Sequence, residues 1–482
     1  MAERYVQAVL PSIFFMMILQ ALVFLPVRAK VMAQEATTVV NCFSDKNTNQ
    51  LILDVESALA RAQAEQGIIP QWAADEITKK ATIEYMSVDD VGREYKIVGH
   101  RLVARLNVWK KFLDNGAEEY LHFGATTVDI LDTVLVLQLK NAVELLIQDL
   151  LEIEGKFLKI AKANLSTFMA GRTRGQHALP ITFGKKVSTW LAENRRNIDR
   201  LLHIKTKLNG LGILKGAVGT YLGLGQRAFE TEALMMAELG LEPPSVADWH
   251  GIRDVFAEYG LTLALISKSF GRLGGELILL QMTELGETLE VLGERDVGSS
   301  TMPQKRNPKG PARLVEYSRS IPRYSEIILD DMVNSFERDG PRADHYLKVI
   351  SIESEKMLVH ANLLLGQLRV NKETMRLNLN ITKGLILSQR LTFFLADKIG
   401  KDTANQLMHE VALFAYENNI SLSEAVQSNK RAAKEFSESE LDSLLDPESY
   451  IGLAIEQTRR IIKGIELLRE PLNVSRGDLL PK

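Results

Sequence analysis

From Asp45 onward, apolar residues recur every three to four positions, the spacing of one face of an α-helix. Leu135, Leu139, Val143, Leu146 and Leu150 form one such stripe, and Ile278, Met282, Leu285, Leu289 and Leu292 repeat it. DKNTNQLILDVESALARAQAEQGIIP (45–70) opens on polar residues able to cap, carries an apolar stripe and stops at Gly-Ile-Ile-Pro. Residues 254–293 lack proline, which predicts one unusually long helix with a bend at Gly271 to Gly275. Alternating apolar and polar runs flanked by turn residues are hardly visible. The pattern predicts an all-α chain.

The breaks divide it. A hydrophobic N-terminal extension (1–34) precedes an N-terminal helical domain (35–127), a central set of long helices (128–370) and a C-terminal domain of shorter helices (371–482). Polar or glycine-rich loops at 171–180, 209–225, 243–251 and 294–308 interrupt the central set. Long helices with surplus apolar faces predict a bundle that associates with other copies of itself.

Composition narrows the function. Apolar content of 46% and charged content of 25% suit an ordinary soluble globular protein. Lys and Arg (58) nearly balance Asp and Glu (61), and no basic stripe or RNA-type aromatic motif occurs, which argues against nucleic acid as a partner. The one cysteine, Cys42, excludes an internal disulfide framework and a multi-cysteine metal site, and fits the cytoplasm. Residues 5–27 carry no charge. Their length admits a membrane anchor; Val31 and Ala33 before Gln34 admit a cleaved signal for export; Met32 admits a start inside an over-extended reading frame.

The chemistry concentrates in GSSTMPQKRNP (298–308). By composition it is a linker leading into a helix at Asn307-Pro308. Its chemical reading is sharper. Successive backbone N–H groups in a tight loop, with Lys305, stabilise an alkoxide. A serine so placed is able to take a proton from carbon, while Lys305 and Asn307 hold the charge developing on a substrate carboxylate.

The loop resembles the signature of the fumarase/aspartase superfamily, GSSxMPxKxNP, and matches all eight fixed positions. HFGATTVDILDT (122–133) resembles that family's first motif and GRTRGQHALPITFG (171–184) its second, in the expected order. The likeness spans about residues 43–470 and is nearest the branch of adenylosuccinate lyase and 3-carboxy-cis,cis-muconate cycloisomerase. It implies a homotetramer with a twenty-helix core, active sites shared by three subunits, and no cofactor or metal. It implies Ser299 as the base, with His122 as a site histidine. Lys305, Asn307, Thr126 and Thr127 fall on carboxylate-binding positions, the threonines at a helix start where free N–H groups favour an anion. Both threonines also suit simple N-capping. Gln176 of the second motif, Ser300 of the loop, and Ser388 and Arg390 of KGLILSQR (383–390) complete the substrate-binding set.

Two positions depart from the adenylosuccinate lyase pattern. That enzyme carries a general-acid histidine directly after the threonine of the second motif, where this chain has Arg174. Its Arg-His-Asp stretch is also missing; the local sequence is REYKIVGH, with Tyr95 or His100 the nearest candidate. A general acid is worth about 10²–10⁴ in rate and matters most when an amine is expelled. A carboxylate, with a conjugate-acid pKa of about 4, leaves more readily. The second motif, with its Gln-His-Ala-Leu-Pro-Ile-Thr-Phe-Gly string, is like that of the cycloisomerase; KGLILSQR and FERD (336–339) are more like adenylosuccinate lyase. Arginine does not give up its proton usefully, so Arg174 reads as a binder of an anionic group. His177 is then the candidate proton donor.

The sequence thus predicts a lyase acting on a dicarboxylate of the substituted-succinate type, or on its cyclic equivalent, by β-elimination. A non-catalytic tetrameric relative and an exported binding protein are the alternatives of another class.

Overall fold

The computed structural model describes residues 38–247, 250–291, 299–338 and 343–469. The readings made for residues 1–34, Leu292 and Gly298 lie outside them. Contacts divide the described residues into two compact units, one of 38–138 and 209–247, the other of those within 139–208 and 250–469.

In the first unit, the helix Asp45–Glu65 starts where the Ser44 hydroxyl accepts the Asn47 N–H and ends before Gly67, at φ +70°. Leu51 through Ala60 are all buried, so this helix is enclosed on every side rather than amphipathic. Pro70 then opens Gln71–Lys79, consistent with the predicted stop. Helices Val88–Val98 and Arg101–Lys110 are separated by Gly99, at φ +66°, and by His100. The His100 Nδ1 accepts the Val103 N–H at 3.2 Å, which makes this histidine a helix cap. Tyr95 is 45% exposed.

The second unit is built on long helices. Thr127–Ala163 and Phe183–Asn209 contribute to it from Leu139 and as far as Leu208, with Asp254–Leu280, Lys309–Asp330 and Asp344–Gln367 beside them. The stripe Leu135 to Leu150 is buried throughout. Asn194 Nδ2 donates to the Leu150 carbonyl at 3.0 Å and Asn197 Nδ2 to Ser269 Oγ at 2.8 Å. Tyr259 and Ser351 share a hydrogen bond of 2.5 Å.

The predicted helix 254–293 ends early, at Leu280. The Glu287 N–H turns back to the Leu280 carbonyl, Gly286 takes φ +54°, and Thr288–Glu290 pairs antiparallel with Leu368–Val370. Met282, counted in the apolar stripe, is 43% exposed. The helix runs unbroken through Gly271 and Gly274. A Cβ on Gly271 would lie 2.3 Å from the Ser318 side chain, and one on Gly274 2.5 Å from the Pro311 carbonyl, so both permit close helix packing.

The segment expected to be a loop at 171–180 is instead most of a β-hairpin, Phe168–Thr173 paired antiparallel with Gln176–Thr182. A register shift between Gly171 and Arg172 breaks the alternation that would have revealed it. These two short pairings are the strands among the described residues, and the class remains all-α.

Short helices from Lys372 onward enclose a core of Leu391, Leu395, Leu407, Met408, Val411 and Leu422. Ser421 with Glu424, and Ser437 with Glu440, form capping boxes. No helix among the described residues is long and apolar enough to cross a membrane.

Candidate functional site

The first motif forms a tight turn into the helix Thr127–Ala163. His122 sits at φ +62° and Gly124 at φ +73°. Two residues of the enclosed helix 45–65, seven apart and therefore on one face, hold this turn. Glu56 Oε1 lies 2.7 Å from His122 Nδ1, and Gln63 Nε2 donates to the Phe123 carbonyl at 2.7 Å. The Glu56 side chain is fully buried, whereas that of His122 is 21% exposed. Burial works to lower the pKa of His122, but attraction and hydrogen bonding from Glu56, with attraction from Asp129, prevail and raise it.

Asp129 organises the helix start. Its carboxylate accepts the N–H groups of Thr126 (2.9 Å), Lys215 (2.9 Å) and Gly216 (3.0 Å). The cap is this carboxylate; the hydroxyls of Thr126 and Thr127 bond nothing among the described residues. Both threonines are half-buried. The loop 209–225 is fastened from within. Lys215, 1% exposed, donates to Tyr221 Oη at 2.8 Å and to the Ser245 carbonyl at 2.9 Å, and Tyr221 donates to Glu232 at 2.7 Å. Burial pushes the Tyr221 hydroxyl well above its ordinary range, with the Glu232 carboxylate adding to the shift. Gly223 meets Gly124 backbone to backbone: a Cβ on Gly124 would fall 2.4 Å from the Gly223 carbonyl oxygen.

The second motif occupies the hairpin. Arg174 and Gly175, at φ +52° and +78°, form its two-residue tip, the geometry of a type I′ turn. Arg174 and Gln176 are exposed there. His177 is paired across the strands with Arg172. Its Nδ1 is buried without a partner among the described residues, and burial, with the positive charge of Arg172, lowers its pKa. Arg172 itself binds Glu287 through Nη1 to Oε2 (3.0 Å) and Nη2 to Oε1 (2.5 Å); Asn378 also donates to that carboxylate at 2.9 Å.

In the signature loop, Ser299 Oγ accepts the N–H of Met302 at 3.2 Å and of Thr301 at 3.4 Å. Ser300 Oγ lies 3.3 Å from Thr301 Oγ1. The Lys305 N–H bonds the Met302 carbonyl at 3.0 Å, and the Lys309 N–H the Asn307 carbonyl at 2.9 Å, just before the helix 309–330. The side chains of Ser300, Lys305 and Asn307 are exposed.

Ser388 and Arg390 lie in the first turn of the helix Ser388–Ile399. Arg390 Nη1 donates to the carbonyls of Ser443, Leu444 and Asp446 and to Ser449 Oγ, at 2.8–3.2 Å. It fastens the C-terminal helices to one another.

The predicted residues thus fall into four local groups: the turn of His122, Thr126 and Thr127; the hairpin of Arg174, Gln176 and His177; the loop of Ser299, Ser300, Lys305 and Asn307; and the helix start of Ser388 and Arg390. Sequence reasoning passed over Glu56, Gln63, Asp129, Lys215 and Glu287. Asp129 carries a legible signal, an acid three residues after Thr126 as in a capping box. Glu56 carries none, since an acid in an apolar helix reads as solvated.

A family model described as "Lyase" matches residues 31–322, and one described as "Adenylosuccinate lyase C-terminus" matches 384–461. The adenylosuccinate lyase of Methanocaldococcus jannaschii is 34% identical over 88% of this chain and 93% of its own. The N-acetyl-S-(2-succino)cysteine lyase of Dickeya dadantii is 33% identical, covering 89% of this chain and 95% of its own. Among solved structures, the 3-carboxy-cis,cis-muconate lactonizing enzyme from Pseudomonas putida superposes with a TM-score of 0.81 at 30% identity, over 91% of this chain and 98% of that one.

Proposed function

Because the chain belongs to the fumarase/aspartase superfamily of lyases, we propose that it cleaves a substituted succinate by β-elimination, expelling a weakly basic group. Ser299 Oγ, as an alkoxide, takes the proton from the carbon beside one carboxylate. The electron pair moves into that carboxylate, and Lys305, Asn307 and the free hydroxyls of Thr126 and Thr127 hold the added charge. The pair then returns to form a carbon–carbon double bond and expels the substituent from the neighbouring carbon. Fumarate or a related unsaturated diacid remains.

One observation carries this reading: two backbone N–H groups converge on Ser299 Oγ inside a loop that matches the signature at every fixed position. Donors aimed at an oxygen favour its anionic form.

Arg174 stands where adenylosuccinate lyases carry their acid, which supports a leaving group needing little protonation. A thiol, with a pKa of about 8.5, and a carboxylic acid, at about 4, both leave more easily than an amine. Sulfur ranks first here, since the Dickeya dadantii relative takes a thioether by its name. Departure of an amine is the second reading, favoured by the adenylosuccinate lyase match over residues 384–461.

A complete site is assembled from several copies in this proposal, as in the homotetramer that the resemblance implies. Exposed apolar side chains on the bundle helices support it, among them Leu261, Leu265, Leu279, Val359 and Leu363. The buried, unbridged Cys42 suits a cytoplasmic setting.

The test offers N-acetyl-S-(2-succino)cysteine, adenylosuccinate and a carboxymuconolactone to the purified full chain and follows the new conjugated double bond by ultraviolet absorbance. Turnover of the thioether that disappears in Ser299→Ala supports the reading. Fast turnover of adenylosuccinate with the other two inert overturns the leaving-group assignment, and inertness towards all three overturns elimination from these substrates.

A further inference from the structure

The proposed elimination leaves one role open. With Arg174 at the hairpin tip, a proton that assists the departing atom comes from another group, and the two candidate histidines differ. His177 has its pKa lowered by burial and by Arg172, and its Nδ1 has no partner among the described residues, both of which disfavour the cation. His122 is bonded by a fully buried carboxylate. Burial and Lys110, at the end of 101–110, oppose the cation, while Glu56 from the helix 45–65 and Asp129 from the first turn of 127–163 favour it. The second oxygen of Glu56 has no hydrogen-bond partner among the described residues, so within them the carboxylate is bonded to the His122 ring.

We propose that Glu56 is a positioning residue for the reaction, fixing the ring of His122 through Nδ1 so that Nε2 donates a proton to the departing atom. The inference rests on the elimination reading above. Gln63 supports the geometry by holding the next carbonyl, which locks His122 in its left-handed conformation. As the carbon–sulfur or carbon–oxygen bond breaks, its electron pair takes the Nε2 proton. His122 is left neutral with its Nδ1–H on Glu56, and solvent returns the proton. No oxidant or co-reactant is needed.

Two readouts test it, one independent of turnover. In Glu56→Gln, NMR titration of the His122 ring is expected to show its pKa lowered by about one unit or more. The alkaline limb of the kcat–pH profile should move down with it, and kcat at neutral pH should fall by about 10²-fold, with KM little changed. Glu56→Asp, which keeps the charge, should recover most of the profile, and serves alone if Glu56→Gln does not fold. A lowered ring pKa with an unmoved kcat profile overturns the inference and leaves the lyase reading standing. An unmoved ring pKa overturns it outright. Should no substrate turn over, the titration still decides whether Glu56 holds the cation.

Discussion

The guanidinium of Arg172 and the carboxylate of Glu287 meet through two parallel hydrogen bonds, of 3.0 and 2.5 Å. Glu287 is fully buried and Arg172 nearly so, at 16%. Removing one partner strands the other's charge, which typically costs about 3–5 kcal/mol. Glu287→Ala is therefore expected to lower the unfolding free energy by that amount in urea, and Glu287→Gln by less, because the amide still accepts from Arg172. Equal stability of the alanine variant and the parent would contradict this.

Ser299→Ala is expected to lower kcat by at least about 10³-fold without moving the unfolding midpoint, since among the described residues the hydroxyl bonds the N–H groups of its own loop. Lys305→Ala should raise KM as well as lower kcat, because its exposed ammonium is assigned to the substrate carboxylate. Steady-state kinetics on one substrate separates the two effects.

Asp54 gives a pH signature. Burial pushes its carboxyl from 3.8 up to about 6, against the lowering effect of Gln50 and Arg61. Between those values the folded chain keeps a proton that the unfolded chain releases, so stability falls as pH rises through the window and levels off above it. Asp54→Asn removes the penalty. It is expected to gain about 1–3 kcal/mol at pH 7 and almost nothing at pH 4, as measured by denaturant unfolding at both. A gain that is the same at both would place the cause elsewhere.

Arg174→His should move the substrate preference. Histidine tolerates the left-handed region that this tip requires. Breakdown of adenylosuccinate is expected to rise by about 10-fold or more as an acid becomes available. Turnover of the parent's own substrate should fall with loss of the cation. A ratio of kcat/KM values that stays put would remove Arg174 from substrate selection.

Gly124→Ala is expected to be the most damaging single methyl group. It would force a Cβ to 2.4 Å from the Gly223 carbonyl at a φ of +73°. A loss of about 2–4 kcal/mol follows from the clash and the strain together. A thermal midpoint within a degree of the parent's would show that the loop 209–225 gives way freely.

Much of this was legible in the sequence, for physical reasons that differ by residue. The stripe from Leu135 to Leu150 is a sound signal because one helix face enters one core. The second stripe misled because Met282, Leu285 and Leu289 keep helical spacing by chance while Gly286 and the Thr288–Glu290 pairing end the helix. The hairpin 168–182 was hidden by its register shift and by Pro180 within a strand. The signature loop declared Ser299 through its residue types. The partner of His122 did not declare itself, since Glu56 is 66 residues away and lies in a largely apolar stretch.

The helix 45–65 offers solvent no side along its ten enclosed residues. Every substitution from Leu51 to Ala60 must therefore be absorbed by a neighbour. Arg174 and Gly175 answer to no such packing constraint, since neither side-chain position is hemmed in; it is their left-handed φ that limits what can stand there. A lineage turning this scaffold towards another reactant would rewrite the tip many times before it altered a single letter of the wrapped segment.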